Sequence, residues 1–144
     1  MKRWLVIAVS IIILGIIGGI LGYKYVYNKP HRNYEKATPD YMVSSEELFT
    51  EYNDSKAEAE KKYNGKVLEI SGILSAIENP DSLSILVFAL RQGMFGDEGI
   101  RCTLLPKYNE QANALTLGNR IAIKGYCAGY NDIDIILEKC SIVQ

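Results

Sequence analysis

Residues 117–140, LGNRIAIKGYCAGYNDIDIILEKC, decide the fold. Ile121, Ile123 and Cys127 alternate with Arg120, Lys124 and Tyr126, the period-2 pattern of a strand with one buried face. Gly129-Tyr130-Asn131-Asp132 supplies turn residues, and Ile133, Ile135 and Leu137 then resume the alternation. Gly118-Asn119 marks the front of the unit. A two-stranded hairpin leaves its apolar face open, so the rest of the chain has to supply strands and a helix to cover it.

Those strands lie upstream. Lys66–Glu78, KVLEISGILSAIE, reads as the first, with Gly72 in its interior marking a bulge or a sharp coil. Asn79-Pro80-Asp81-Ser82 turns the chain into a second, almost wholly apolar strand, Ser84–Leu90. A third, Gly99–Leu105, follows the loop RQGMFGDEG. Gly93, Gly96 and Gly99 make no phosphate cradle, because Asp97-Glu98 repels a phosphate and no helix follows. Pro106–Leu115 is a short helix opening at its proline. The order strand, strand, strand, helix, strand, strand is that of a five-stranded OB barrel. The fold expected is therefore mainly β with α.

Ahead of the strands, Ser44–Tyr63 reads as one amphipathic helix. Ser44 and Glu47 have capping-box spacing, Leu48, Tyr52, Ala59 and Tyr63 share a face, and Asn64-Gly65 ends it. Its apolar stripe suits a lid on the barrel.

Trp4–Gly22 is a run in which Ser10 is the only polar side chain, and as a helix it spans roughly 29 Å, the thickness of a bilayer core. Trp4 and the tyrosines 23, 25 and 27 mark the two interfaces. No A-x-A-like site ends the run, so an uncleaved single-pass anchor is preferred to a signal peptide. Gly15 with Gly19, and Gly18 with Gly22, have the small-xxx-small spacing of helix contacts in a membrane, although glycine is common in such helices anyway. The expected domains are 1–27, anchor with flanks; 28–43, tether; and 44–144, the OB domain including helix 44–63.

The formal net charge of −1 hides an asymmetry. Five of the 16 basic residues fall in the first 32 positions with no acid among them, which leaves 11 basic and 17 acidic side chains beyond, a net of −6. That balance argues against a phosphate backbone as partner. Lys24, Lys29, Arg32 and Lys36 follow the anchor and, by the positive-inside rule, favour a cytoplasmic domain. The early anchor and the cysteines favour export. The orientation adopted is an N-terminus in the cytoplasm and an OB domain outside it.

His31 is the sole histidine and precedes the domain, so histidine triads, His-rich metal sites and most acid–base catalysis are excluded there. No catalytic residue, metal or cofactor is expected. Cys102, Cys127 and Cys140 all fall in strands; a Cys127–Cys140 bridge is preferred, Cys102–Cys140 is the other pairing, and three buried thiols are the alternative to any bridge. Asp132 and Asp134 read as turn and solubility residues rather than a calcium pair. Arg101 points outward from the third strand, and with Phe88, Arg91 and Phe95 it forms the candidate ligand-binding set.

Residues 41–144 resemble the tRNA_anti-like OB-fold family, found as small membrane-anchored or lipoprotein-like bacterial proteins. The resemblance rests on SSEELFTEY, KYNGKVLEISG, GIRC and KGYCAGYNDIDIILEKC, with YNKPHR matching the junction after the anchor. It implies the OB fold and membrane attachment. The function expected is a binding or assembly module of the cell envelope, taking a protein or a glycan; the alternative is a single-stranded nucleic-acid binder.

Overall fold

The computed structural model describes residues 2–27 and 33–143, without the side chains at 2, 5 and 24–27. Lys29, His31 and Arg32 lie outside the described residues, with the rest of the first part of the expected tether, 28–32. Two compact units emerge, one ending at Arg32 and one running from Asn33 to Gln144.

The first unit is a single helix, α1 (Lys2–Tyr27). Its segment Val6–Tyr23 is long and apolar enough to cross a membrane, and none of it is buried. Within it Ser10 returns its hydroxyl to the Val6 carbonyl at 2.9 Å, as a hydroxyl in an apolar helix does.

The second unit is one mixed sheet with helices packed on it. Its elements are β1 (Tyr41–Ser44), α2 (Ser45–Asp54), α3 (Lys56–Tyr63), β2 (Val67–Ile73), β3 (Ala76–Glu78), β4 (Ile85–Gly93), β5 (Gly96–Leu104), a 3-10 turn at Pro106–Tyr108 leading into α4 (Asn109–Asn113), β6 (Arg120–Tyr130) and β7 (Asp134–Val143). The strand order is β1-β2-β6-β7-β5-β4-β3. Every pair is antiparallel except β1 with β2 and β5 with β7.

The sheet thus has seven strands and two ends, not the five strands of a closed barrel. Two features account for the difference. Tyr41–Ser44, expected as the end of the tether and the first residue of the helix, forms a parallel edge strand, held at its start by Asp40, whose backbone N–H donates to the Val67 carbonyl and whose carboxylate accepts the Val67 N–H at 2.8 Å. The expected first strand also breaks at Leu74-Ser75. Val67–Ile73 pairs with β6, whereas Ala76–Glu78 pairs with β4. Gly72 forms no bulge, since the β2–β6 register runs evenly through it.

The amphipathic helix is also two helices. Ser44 accepts the Glu47 N–H at 3.1 Å, the cap its spacing predicts, but at Ser55 the backbone leaves helical geometry (φ −149°, ψ 80°). The stripe survives the break: Leu48, Tyr52, Ala59 and Tyr63 are all buried against Leu68, Ile70, Phe88, Ile123 and Ile135. At roughly 1.5–3 kcal/mol for each large apolar side chain buried, this stripe is what holds the helices on the sheet. Of the apolar positions in the closing hairpin, Ile123, Cys127, Ile135 and Leu137 are buried, while Ile133 lies exposed in the turn.

Candidate binding face

The outward side of β3, β4, β5 and β7 is set by register. Ala76 pairs with Val87, Val87 with Arg101, and Arg101 with Ile136, so one row of side chains crosses four strands with Arg101 in it. Period-2 alternation sends Arg101 away from the core while its neighbours Ile100 and Cys102 are buried.

Arg101 is not a free cation. Its Nε donates to Asp134 Oδ2 at 2.8 Å and its Nη1 to Glu78 Oε2 at 2.6 Å. The bond to Glu78, ahead of that to Asp134, holds the guanidinium more firmly protonated than usual. Asp134 spends its other oxygen on the Gly99 N–H at 3.0 Å and is nearly buried. It is a positioning carboxylate, not the solubility residue that its place beside the turn suggests. Asp132 does sit in the turn at positive φ and pairs with Lys56. The centre of this face therefore carries one guanidinium between two carboxylates.

The other residues of the expected set scatter. Phe88 lies opposite Ile100 on the inner side and is fully buried, so its ring packs the core and not the outward face on which it was expected. Arg91 is paired with Glu98 across the β4–β5 hairpin, and its guanidinium stands 5.4 Å from the Phe49 ring centroid. Phe95 sits with Met94 at the tip of that hairpin, 91% and 93% exposed. The expected loop is thus mostly strand, closed by a two-residue turn. Glu78 and Asp134 belong to the face and were not legible as such; parity placed Arg101 outward, but its partners depend on which strands become neighbours.

All three cysteines are free and buried, and the expected Cys127–Cys140 bridge is not formed. Cys127 turns its sulfur to the Tyr52 hydroxyl at 3.4 Å. Cys140 sits over Gly125 and has Cys102 as its sulfur neighbour. Burial pushes both the Cys127 and Cys140 thiols up, away from the reactive thiolate. Among the described residues no cluster of three or more histidine, cysteine or carboxylate side chains is placed to hold a metal ion.

Similar folds occur among solved structures. A Klebsiella pneumoniae protein, described as a proposed nucleic acid-binding lipoprotein, is 19% identical with a TM-score of 0.54; the match covers 72% of this chain and 91% of that one. At that identity the likeness is one of fold. The S. pombe Stn1–Ten1 complex matches at 16% identity and a TM-score of 0.39, over 54% of this chain and 58% of that one. Asparaginyl-tRNA synthetase from Pyrococcus horikoshii matches at 14% and 0.39, over 58% of this chain but only 20% of its own. No curated protein matches the chain. The model of the tRNA_anti-like family matches residues 1–142, taking in the apolar helix and all of the sheet but the last residue of β7; the chain belongs to the tRNA_anti-like family.

Proposed function

We propose that this protein is a non-catalytic OB module, anchored in the cytoplasmic membrane by Trp4–Gly22, that docks a protein segment or a glycan of the cell envelope on the outward face of β3, β4, β5 and β7. Leu74-Ser75 joins β2, beside the β1 edge, to β3 at the opposite edge, so one stretch of chain serves both sides of the open sheet. The domain lies outside the cytoplasm.

The observation that carries the reading is the state of Arg101. A guanidinium held by Glu78 and Asp134 has no charge to spare for a phosphate, and its surroundings are acidic. Such a face suits an uncharged or cationic partner, with Val87 and Ile136 as apolar floor. Full-length protein in nanodiscs, titrated with envelope peptides and glycans while the Arg101 Nε signal is followed by NMR, is expected to respond to one of these classes. No response from either would overturn the proposal. Protease added to intact spheroplasts is expected to remove the domain; its protection would reverse the orientation.

A second reading has its own support. The Klebsiella protein of like fold is described as a proposed nucleic acid-binding lipoprotein, and Arg91 and Arg101 lie on the strands that OB folds use for single strands. In the same nanodiscs, binding of an oligothymidylate whose affinity falls steeply with salt would favour this reading over the first.

A further inference from the structure

Beside the Arg101 row, where the end of α3 meets the β6–β7 turn, lies a groove of about 330 Å³ whose lining includes Glu60, Asn64, Gly129, Tyr130, Asn131 and Ile136. Ile136 links the two places: it stands opposite Arg101 on β5 and opposite Gly129 on β6. We infer that this groove is a sugar subsite, binding a unit of a neutral oligosaccharide. The inference rests on the binding-module reading above and specifies its ligand.

The donors are fixed in place. Tyr52 hydroxyl stands 2.6 Å from Asn64 Oδ1, and burial keeps that phenol protonated far above physiological pH, so the hydroxyl donates and the amide oxygen accepts. Asn64 Nδ2 is thereby turned the other way, 3.5 Å from the point where a Cβ on Gly129 would stand. Gly129 has no side chain to cover it, and its φ of +140° at the β6 bulge is a conformation other residues rarely adopt.

Asn131 repeats the device. Its Oδ1 accepts the N–H groups of Ile133 at 3.0 Å and Asp134 at 2.7 Å, which leaves its own Nδ2 facing solvent. The groove thus presents two amide donors oriented by the fold. Glu60 adds a carboxylate that forms no ion pair among the described residues, an acceptor for hydroxyls. Tyr130 adds an aromatic surface, backed by Tyr52 at 5.4 Å between ring centroids and shared with the Lys56 ammonium, 5.6 Å from the same ring centroid.

Two N–H donors, a hydroxyl acceptor and an aromatic surface match a ligand that is rich in hydroxyl or acetamido groups and also has apolar C–H faces. Glu60 repels a phosphate, which sets this ligand apart from a nucleic acid. The volume falls near the low end of small-molecule sites, roughly 300–1,000 Å³.

Isotope-labelled full-length protein in nanodiscs tests this with three probes: chitotetraose, maltotetraose and a twelve-nucleotide oligothymidylate. Asn64→Asp and Asn131→Asp keep the oxygens that the fold uses, remove the outward donors and add one negative charge each, which a neutral oligosaccharide feels far less than oligothymidylate does. At least one of the two oligosaccharides is expected to shift the side-chain amide signals of Asn64 and Asn131, with affinity at least tenfold lower in either variant and thermal midpoints unchanged. Amide signals that ignore both sugars, or sugar binding undiminished in both variants, would overturn the inference, as would oligothymidylate being the sole probe to move them. Sugar-induced shifts confined to Arg101 would remove the groove and leave the binding module standing.

Discussion

The Ser45 side chain fills the space above Gly72. A Cβ built on Gly72 would stand 2.2 Å from Ser45 Oγ and 3.0 Å from Phe88 Cδ1, so the first turn of α2 is seated directly on β2 over the ring of a β4 residue. This glycine serves close packing of helix on sheet, and its place in a regular ladder shows why a bulge was not needed.

Gly72→Ala is therefore expected to destabilise the domain by about 1–3 kcal/mol, the usual result of forcing a methyl group into a filled space. Urea unfolding measures it. Ser45→Gly in the same chain removes both clashing Ser45 atoms and is expected to restore part of the loss. A single substitution without effect would mean that α2 does not sit on β2 in solution.

Arg101 and Asp134 are unequal partners, with side chains 31% and 10% exposed. Removing the guanidinium strands a nearly buried carboxylate; Arg101→Met is expected to cost about 1–3 kcal/mol, while the double variant with Asp134→Asn loses less than the sum of the singles. The comparison isolates the pair from the packing of the long side chain. Additive losses would show that the two groups do not interact.

How far the sequence carried depended on whether a feature was local. Alternation in 120–127 and 135–137 placed the buried face of the closing hairpin, and the spacing of Ser44 with Glu47 located a helix start to the residue. Both are short-range patterns. The parallel pairing of Tyr41–Ser44 with β2 was illegible because four residues carry no period and the partner lies across α2 and α3. Phe88 was misplaced for a related reason: in a strand as apolar as SILVFAL, alternation cannot tell the inner face from the outer. The Asn64–Tyr52 and Arg101–Glu78 contacts join residues brought together by topology alone, so the site emerged only with the fold.

The thiols make a prediction about reactivity. Cys127 and Cys140 are buried with pKa values raised chiefly by that burial, so neither offers thiolate near neutral pH. Native protein purified under reducing conditions is expected to resist iodoacetamide at pH 8 for hours, and to take up the label at all three cysteines once unfolded. Rapid labelling of the folded chain would place a sulfur at the surface, contrary to the packing of β5, β6 and β7.

Glu35 ties the segment ahead of β1 to the turn at Pro106–Tyr108. Its carboxylate pairs with Lys107 and accepts the Tyr108 hydroxyl at 2.6 Å. The Lys107 bond, then that from Tyr108, holds Glu35 below the ordinary value of 4.5, and the same contact pushes the Tyr108 phenol up to about 12. A carboxylate depressed by folding stabilises the folded arrangement fully above its unfolded pKa, and the contribution disappears as pH falls through the lowered one. The contact is thus expected to persist unchanged from pH 7 to 5 and to open only as pH falls through the lowered value, exposing the amides of residues 33–38 to faster hydrogen exchange after correction for intrinsic rates. Glu35→Gln is expected to show that faster exchange already at pH 7 and to lose the acid dependence. Exchange of this segment that is as fast at pH 7 as in acid well below the lowered value, in the unaltered chain, would show that the tie does not form.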